Sequence, residues 1–599
     1  MQKANVILSI LKEKSINDEN YKFDRLYRNM FNQDFYLNAY ARIYAKEGNM
    51  TSGTDGLTID GFGYDIISDL IGKLKQERYY PNPVRRTYIP KKKSGKMRPL
   101  GIPSFQDKLV QEVVRQMLEA IYEPLFKDSS HGFRPRRSCH TALMQIKKKC
   151  KGANWFIEGD IKSFFDEMNQ ETLIKLIERR IKDGRMIELI RRFLQAGYFE
   201  FKKVHSSLSG TPQGGIISPI LSNIYLHELD TFMEKLIIKY NKGATRKSCT
   251  KYRKIRTQRD YHKRNGNVKQ AKYFDQQLRK MPTQEPFDEN YIRLVYVRYC
   301  DDFIISVIGS KALAEEVKTT VKEFLMNHLD LELSAEKTLI THTVKERARF
   351  LGYEINKAMN NTKLIKNSKG DKVRAVNGKI QLLVPGDVIN QKLKPFKHNN
   401  KPVHYKARHN LTIKEMILEY NAEIRGLYNY YCLATDVSTK VNKFRFYHYY
   451  SLAKTIAKKE KSTVKKVISK YGIEVPRKGL GGTRNIIGIK YQTQKGEKTL
   501  TYFNESLERK HEPRTKIYDT MSGKRHEILD RLNARMCELC GFSSDSHKDF
   551  VVHHVRKLKE TLERYKVKDF TPPLWVLVME GIRRKTLVVC KQCHKDIHN

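Results

Sequence analysis

Two adjacent aspartates stand in an apolar run near the middle of the chain. Asp301 and Asp302 occur in "LVYVRYCDDFIISVIG", residues 294–309, whose two halves otherwise have the pattern of buried β-strands. A buried carboxylate needs a partner or a metal ion. Another aspartate, Asp160, ends a strand-like run in "FIEGDIKSFFD". Carboxylates from more than one strand are typical of magnesium sites, because magnesium prefers oxygen ligands.

Each of these patterns has an ordinary structural alternative. An Asp-Asp pair taken by itself is usually just a hairpin turn, and the joint occurrence with Asp160 is what favours catalysis. A site with two divalent ions can activate a 3′-hydroxyl and stabilise the leaving pyrophosphate in one in-line displacement. Nucleotidyl transfer is therefore the chemistry that the three aspartates indicate.

A second group of reactive residues lies at the C-terminal end. Cys537 and Cys540 form one Cys-x-x-Cys pair, and Cys590 and Cys593 form another. Four thiolates suit a closed tetrahedral zinc site. The other five of the nine cysteines are scattered, which favours a reducing compartment and one metal site over a disulfide framework.

Histidines surround these cysteine pairs. His553 and His554 lie between the pairs, while His594 and His598 are four residues apart and share one face of a helix. Since four thiolates already complete a zinc site, the histidines indicate a second, functional metal. A histidine also suits general-base catalysis, because its pKa lies near the operating pH. The alternative is a zinc ribbon that only binds DNA.

Composition indicates a large nucleic-acid-binding protein. The 599 residues include 114 Lys and Arg against 66 Asp and Glu, a formal net charge of +48. Such an excess repels itself unless a polyanion lies against it. The length predicts about three to five domains. No long apolar span and no signal-like start occur, so we expect a soluble, intracellular protein.

The elements that must position these residues alternate along the chain. Residues 1–80 have helical periodicity, and the following region shows strands and amphipathic helices, which indicates an α+β architecture. Residues 239–290 are rich in Lys and Arg and predict an exposed helical insertion. From about residue 385 to 480 the pattern becomes mostly helical, and a basic glycine-rich stretch follows.

Several segments resemble the successive blocks of reverse transcriptases, in the same order. "RPLGIPSFQDKLVQ" and "HGFRPRRSCHTAL" resemble the fingers, and "FIEGDIKSFFD", "GTPQGGIISPILSNIYL", "YCDDFIIS", "LSAEKTLITH" and "RFLGYEI" resemble the palm. Further on, "RGLYNYY" resembles the thumb, or maturase domain, of group II intron-encoded proteins. The last segment resembles HNH endonucleases. In order, the whole chain resembles a group II intron-encoded protein.

The resemblance implies roles for residues around the three aspartates. Asp160, Asp301 and Asp302 would be catalytic and would hold two magnesium ions, with the backbone carbonyl of Ile161 as a further ligand. The remaining positions would bind the incoming deoxynucleotide. They are the steric gate Phe165, which is otherwise a core phenylalanine, Gln213 at the nucleotide, Arg98 and Lys91 at the triphosphate, and Lys337 near the pyrophosphate. For Arg98 and Lys91 the alternative is a solvated charge.

The resemblance to HNH endonucleases implies a metal-dependent phosphodiesterase. His554 would be the general base, and His553 and His598 would bind the catalytic ion, which is expected to be Mg²⁺, with His594 as a ligand or a support. No asparagine occurs between His554 and Cys590, so the middle letter of the motif is missing. Which residue orients His554 is left open by the sequence.

The helical segment behind the palm combines aromatic and basic residues. Aromatic rings can stack on unpaired RNA bases and lysines can neutralise phosphates, although at least half of the rings are expected to be core. The rings are Tyr428, Tyr430, Tyr431, Phe446, Tyr447, Tyr449 and Tyr450, and the lysines are Lys454, Lys458, Lys459, Lys465 and Lys466.

These expectations define five regions. We expect a multidomain α+β protein with right-hand polymerase fingers and palm, a helical thumb and a small zinc-stabilised ββα-metal domain. The boundaries are an N-terminal helical extension with an RNA-binding role (1–80), fingers and palm (81–375, with the insertion at 239–290), the thumb or maturase domain X (376–480), a basic, flexible DNA-binding linker (481–525) and the HNH endonuclease (526–599).

The implied function is threefold. The protein would copy RNA into DNA, promote splicing of its intron RNA, and cut target DNA so that the new 3′-hydroxyl primes synthesis. Its partners would be group II intron RNA, target DNA and deoxynucleotides, without a membrane. A bacterial cytoplasmic location at the nucleoid is expected, and an organelle is the alternative. The rival functions are a retroelement reverse transcriptase without a splicing role, a non-enzymatic splicing cofactor and a bare DNA nuclease.

Overall fold

The architecture is described from a computed structural model of the chain. It describes residues 2–90, 95, 97–200, 203–205, 214–366, 368, 370, 372–477, 481–493, 496–512, 527–567 and 571–599. Lys91 and Gln213, which the sequence predicts to bind the nucleotide, lie outside the described residues. One hydrophobic core joins the N-terminal helices, the palm helices and the C-terminal domain, and a second core joins the back of the palm to the thumb.

The N-terminal region is a small helical layer with one short strand. Its elements are α1 (Ala4–Asn17), α2 (Gln33–Ile43), β1 (Phe62–Gly63) and α3 (Tyr64–Lys75). The Asn32 side chain caps α2 by accepting a hydrogen bond from the Asp34 amide, a common way to satisfy a free helix N-terminus. Helices α1 and α2 pack against the first long helix of the next region, so this layer shares the hydrophobic core of that region.

The next region contains the fingers and the first half of the palm. Its elements are β2 (Val84–Pro90), β3 (Met97–Ile102), α4 (Phe105–Tyr122), α5 (Cys139–Lys149), β4 (Trp155–Asp160), α6 (Phe164–Glu167), α7 (Gln170–Glu178), α8 (Gly184–Gln195), β5 (Tyr198–Glu200), β6 (Lys203–His205) and α9 (Ser218–Tyr240). Strands β3, β2, β5 and β6 form one sheet in that order.

A helical hairpin and the second half of the palm follow. The elements are α10 (Thr250–Arg264), α11 (Val268–Lys280), β7 (Arg293–Tyr299), β8 (Asp302–Ile308), α12 (Lys311–Leu329), β9 (Leu339–His342), β10 (Ala348–Phe350), β11 (Tyr353–Lys357), β12 (Leu364–Lys366), β13 (Lys372–Arg374) and β14 (Ile380–Leu383). The palm sheet has the order β7-β8-β4-β9, and all of its neighbouring strands are antiparallel.

The thumb is built on two long antiparallel helices. Its elements are α13 (Gly386–Leu393), β15 (Lys397–His398), β16 (Lys401–Pro402), α14 (Ile413–Tyr431), α15 (Val437–Lys459), α16 (Val464–Tyr471), β17 (Gly472–Pro476), β18 (Thr483–Thr493) and β19 (Gly496–Thr501). Here the structure differs from the flexible linker expected from residue 481. Strands β17, β18 and β19 form a sheet, because Ile486 and Ile487 are buried in the thumb core.

The C-terminal domain contains a ββα unit. Its elements are α17 (Glu527–Asn533), β20 (Phe550–His554), α18 (Leu558–Val567), α19 (Leu574–Ile582), β21 (Thr586–Cys590) and α20 (Lys591–His598). Strand β1 of the N-terminal region extends this sheet, since Phe62 pairs with Val552 and Gly63 with Val551. Among the described helices, none is long and apolar enough to cross a membrane.

Candidate polymerase and nuclease sites

The turn that carries the aspartate pair is a tight hairpin loop. Strand β7 ends at Tyr299 and β8 begins at Asp302, and these two residues are register partners. Cys300 has a φ of 59°, the left-handed region that tight hairpin loops require. The loop presses against Gly132, where a Cβ atom would lie 2.3 Å from the Cys300 nitrogen. Only glycine therefore fits at position 132.

A buried arginine, Arg298, holds the same turn in place. Arg298 is fully buried and forms an ion pair with Asp230, with 2.6 Å between Nη2 and Oδ2. It also donates hydrogen bonds to the Cys300 carbonyl, at 2.9 Å, and to the Ser130 hydroxyl, at 2.8 Å. The arginine thus joins the loop to helix α9 and to the segment before Gly132. No sequence pattern indicated this network, because Ser130, Asp230 and Arg298 are far apart in the chain.

The three aspartates lie at the same end of the palm sheet. Asp160, at the end of β4, is the register partner of Asp302, at the start of β8. Burial, followed by the charges of Asp301 and Asp160, raises the pKa of Asp302 to about 7. Burial, and then the Asp160 charge, also raises the pKa of Asp301. Carboxylates that repel one another in this way fit a divalent cation, which would neutralise them.

Two predicted cations face this carboxylate cluster. The Lys337 ammonium lies 2.7 Å from Asp160 Oδ2, and the contact raises the pKa of Lys337. Arg98 is exposed on β3, and its charge offsets part of the rise in the pKa of Asp301. Ile161 follows Asp160 directly and is 2% exposed. Phe165 is half-buried and packs edge-to-face on Phe164, with 5.3 Å between the ring centroids.

The four C-terminal cysteines converge. The Sγ atoms of Cys537, Cys540, Cys590 and Cys593 all lie within 4.8 Å of one another. Burial raises the pKa of Cys537, but backbone amide groups that donate to its sulfur bring it down to about 7. Burial and then the neighbouring cysteines raise the pKa of Cys590 and Cys593. Four thiols crowded in this way fit a tetrahedral zinc ion, which would neutralise their charge. All nine cysteines are free thiols.

The histidines form a second cluster, with a partner that the sequence did not indicate. His553, His594 and His598 surround the carboxylate of Asp60, and the ligand atoms of all four residues lie within 4.8 Å of one another. Asp60 precedes β1 and lies 494 residues before His554 in the sequence. The sequence pattern of residues 1–80 contains nothing that connects Asp60 to the histidines, because the contact arises only from the fold.

The predicted general base His554 occupies a different position from the other three histidines. Its backbone amide donates to Asp60 Oδ1 at 2.6 Å, and its Nε2 lies 2.8 Å from the Tyr40 hydroxyl. Burial lowers the pKa of His554 to about 4. Burial opposes ionisation of Asp60, but contacts with His553 and His594 hold the pKa of that carboxyl below its ordinary value. His554 is therefore neutral at pH 7.

A basic cleft of about 840 Å³ opens beside His554. The N-terminal segment 44–51 lines one side, and residues of the nuclease domain line the other. Its lining contains six cations and two carboxylates, namely Lys46, Arg531, Arg556, Lys557, Arg584 and Lys585 against Glu47 and Glu527. A cleft with this lining attracts a phosphodiester backbone.

The thumb has an aromatic and basic pocket of about 360 Å³. Arg445 and Arg484 lie beside the rings of Phe446, Tyr449 and Tyr450. Burial, and then the nearby Arg484, lowers the pKa of Arg445. Of the rings that the sequence singled out, Tyr428 and Tyr431 are core, while Phe446 is 53% exposed. The five predicted lysines of this segment are all exposed.

Three known families match successive parts of the chain. Residues 89–253 match the reverse transcriptase (RNA-dependent DNA polymerase) family. Residues 377–533 match the type II intron maturases, and residues 537–594 match the AI2M/AI1M-like HNH endonucleases. The class is therefore that of reverse transcriptases with appended maturase and nuclease domains, and the chain is an RNA-directed DNA polymerase with an HNH endonuclease domain.

Similar proteins place the chain within that class. It is 42% identical to the group II intron-encoded protein LtrA of Lactococcus lactis subsp. cremoris, over 100% of this chain and 99% of the relative. It is 32% identical to the putative COX1/OXI3 intron 1 protein of Saccharomyces cerevisiae, over 98% of this chain and 70% of that protein. The chain belongs to the group II intron-encoded proteins.

Proposed function

We propose that Asp160, Asp301 and Asp302 hold two magnesium ions and catalyse RNA-templated DNA synthesis. The observation that carries this proposal is the register of the palm sheet, which sets Asp160 directly opposite Asp302, with Asp301 in the adjoining loop. Ions held by these carboxylates would activate the primer 3′-hydroxyl and stabilise the pyrophosphate that leaves. The α-phosphorus gains a bond to the primer oxygen and loses its bond to the pyrophosphate.

The neighbouring residues bind the incoming deoxynucleotide in this proposal. Arg98 binds triphosphate oxygens with its planar guanidinium, and Lys337, whose ammonium lies beside Asp160, binds the pyrophosphate. Ile161 contributes its backbone carbonyl to one ion, and Phe165 excludes the 2′-hydroxyl of ribonucleotides. Lys91 and Gln213 are assigned to the triphosphate and the nucleotide from their positions in the sequence alone.

The C-terminal domain acts as a DNA endonuclease. His553, His594 and His598 hold the divalent ion, and zinc on the four cysteines keeps the ββα unit folded. His554 takes a proton from water, whose oxygen attacks the phosphorus. The bond from phosphorus to the 3′-oxygen breaks, and that oxygen takes up a proton. The product is a 3′-hydroxyl that the polymerase can extend, and the basic cleft beside His554 holds the cut strand.

The thumb binds the group II intron RNA and promotes its splicing. The pocket around Arg445 offers stacking surfaces and cations together, which suits unpaired RNA bases and their phosphates. The exposed lysines of α15 and α16 extend the basic surface. We assign splicing to residues 376–480, DNA binding to 481–525 and RNA binding to the N-terminal 1–80 in addition to its packing role. The protein works in the bacterial cytoplasm at the nucleoid.

Variants that separate the three activities test this function. Asp302→Asn should abolish primer extension and leave DNA nicking and splicing intact, since only the palm is altered. His554→Ala should abolish nicking and leave the other two. Arg445→Gln should weaken splicing and binding of intron RNA more than Lys458→Gln, an exposed charge loss on the same helix. Loss of all three activities in each variant would contradict the assignment.

A further inference from the structure

The N-terminal region contacts the nuclease domain through several independent interactions. Strand β1 pairs with β20, and the Tyr64 hydroxyl donates to Asn533 Oδ1 at 2.7 Å. Lys591 forms an ion pair with Asp65. The Phe62 ring stacks on Tyr40, with 3.7 Å between the centroids, and Phe62 belongs to the core that includes β20. The segment that carries Tyr40 and Asp60 is thus held against the nuclease.

This docking brings the Asp60 carboxylate to the centre of the three histidines. Oδ2 lies 2.7 Å from His598 Nε2 and 3.3 Å from His594 Nε2, while Oδ1 lies 3.1 Å from His553 Nδ1. The backbone directly after Asp60 permits this close approach. Gly61 has a φ of 76°, and a Cβ there would lie 3.3 Å from the His594 ring.

The geometry among these groups is that of ligands and not of hydrogen-bond partners. Both ring nitrogens of His553 and the Nε2 of His594 are buried without a hydrogen bond, although Asp60 is within contact distance. His553 is 3% exposed, so bulk solvent does not reach its ring. Buried polar atoms that lack partners indicate a missing ligand. Three imidazoles and one carboxylate suit a divalent transition metal.

We infer that Asp60, from the N-terminal region, is the fourth protein ligand of the nuclease ion, and that Tyr40 positions His554. The endonuclease is therefore a composite of two segments at opposite ends of the chain. This inference rests on the proposed nuclease function of the histidines. The Tyr40 hydroxyl is then the group that orients His554, a role that the sequence left open because the asparagine of the motif is missing. When Nε2–H donates to the Tyr40 oxygen, Nδ1 is the atom that accepts the proton from water.

Metal binding by the full-length, zinc-loaded protein tests the role of Asp60. The polymerase carboxylates are first removed by Asp301→Asn and Asp302→Asn, so that Ni²⁺ titrated calorimetrically reports the histidine cluster. Asp60→Asn should weaken Ni²⁺ binding about tenfold or more, since even indirect partners of metal ligands contribute that much. In the chain with an intact palm, Asp60→Asn should lower nicking at least as strongly and leave primer extension unchanged.

Matched variants separate ligation from docking and from the proposed function itself. Asp65→Asn removes the same charge from the same interface, at its contact with Lys591, and should change neither Ni²⁺ binding nor nicking. His598→Ala should lose both Ni²⁺ binding and DNA nicking. If it does, the inference is overturned when Asp60→Asn binds Ni²⁺ as tightly as its parent or nicks DNA faster than its parent. It is equally overturned when Asp65→Asn matches the loss in Asp60→Asn. Unchanged binding and nicking in His598→Ala would overturn the nuclease site itself.

Tyr40→Phe tests the positioning role separately. This change keeps the stacked ring and removes only the hydroxyl that contacts His554. We expect the nicking rate at saturating DNA to fall about tenfold, with Ni²⁺ affinity and the DNA concentration for half-maximal rate unchanged. A structural role would move Ni²⁺ affinity together with the rate. An unchanged rate would overturn the role of Tyr40.

Discussion

At the scale of single residues, the polymerase site depends on groups that never touch substrate. Arg298 carries the charge that balances buried Asp230, and its bond to the Cys300 carbonyl holds the loop that presents Asp301. Gly132 gives that loop the space it needs. These residues position the carboxylates, and their loss should lower the free energy of unfolding of the palm.

Removing the Arg298 guanidinium should destabilise the palm strongly. Arg298→Ala leaves Asp230 buried and unpaired, which costs about 3–5 kcal/mol. Arg179→Ala breaks an exposed pair with Glu228 and should cost at most about 1 kcal/mol. Denaturant unfolding of the two variants measures the difference. Equal effects would show that the buried pair does not support the palm.

The buried imidazole of His131 should make the palm sensitive to acid. Burial, with further contributions from Arg137 and Arg134, lowers its pKa to about 4, against 6.5 in the unfolded chain. The unfolded state therefore binds the proton first, and stability is lost as the pH falls below 6.5. The loss reaches about 2 kcal/mol at pH 5. His131→Gln should remove that share of the acid loss and His398→Gln, at an exposed site, should not. Parallel pH profiles for both would contradict this prediction.

At the scale of elements, short strands decide which parts of the chain work together. Strand β1 has two residues, yet it joins the N-terminal layer to the nuclease sheet. Strands β18 and β19 attach residues 483–501 to the thumb, in a region whose basic composition indicated a flexible linker. The alternation of side-chain types in "IIGIKYQT" indicates a strand, but the basic composition of the segment favoured a linker. The cysteine cluster also connects elements, since Cys590 ends β21, Cys593 lies in α20, and the Sγ atoms of both lie within 4.8 Å of those of Cys537 and Cys540.

Zinc removal should unfold the nuclease domain without stopping the polymerase. Four thiolates close the site, so chelation or Cys540→Ser should release one zinc per chain and abolish nicking. Cys139→Ser, outside the cluster, should retain both zinc and nicking. Metal content and primer extension are measured together. A nuclease that still nicks after complete loss of zinc would contradict a structural role for the cysteines.

At the scale of the whole molecule, local sequence patterns predicted the individual domains and motifs. They did not predict the contacts between residues that are far apart in the sequence. The aspartate pair, the Cys-x-x-Cys pairs and the order of blocks lie within short stretches whose spacing is itself the signal. Asp60 and His554, by contrast, are 494 residues apart, and Arg298 and Asp230 are 68 apart. Their contacts arise from packing of the entire chain, which no local pattern records.

Single-nucleotide incorporation on an RNA template tests the central claim, the convergence of Asp160, Asp301 and Asp302 at one end of the palm sheet. Asp302→Asn should reduce the rate at least about a thousandfold, because a two-ion site with one neutral ligand loses several kcal/mol of transition-state stabilisation. The matched control Glu332→Gln changes an exposed carboxylate paired with Lys162 and should keep the parental rate. Incorporation by Asp302→Asn at the rate of the control would contradict the account.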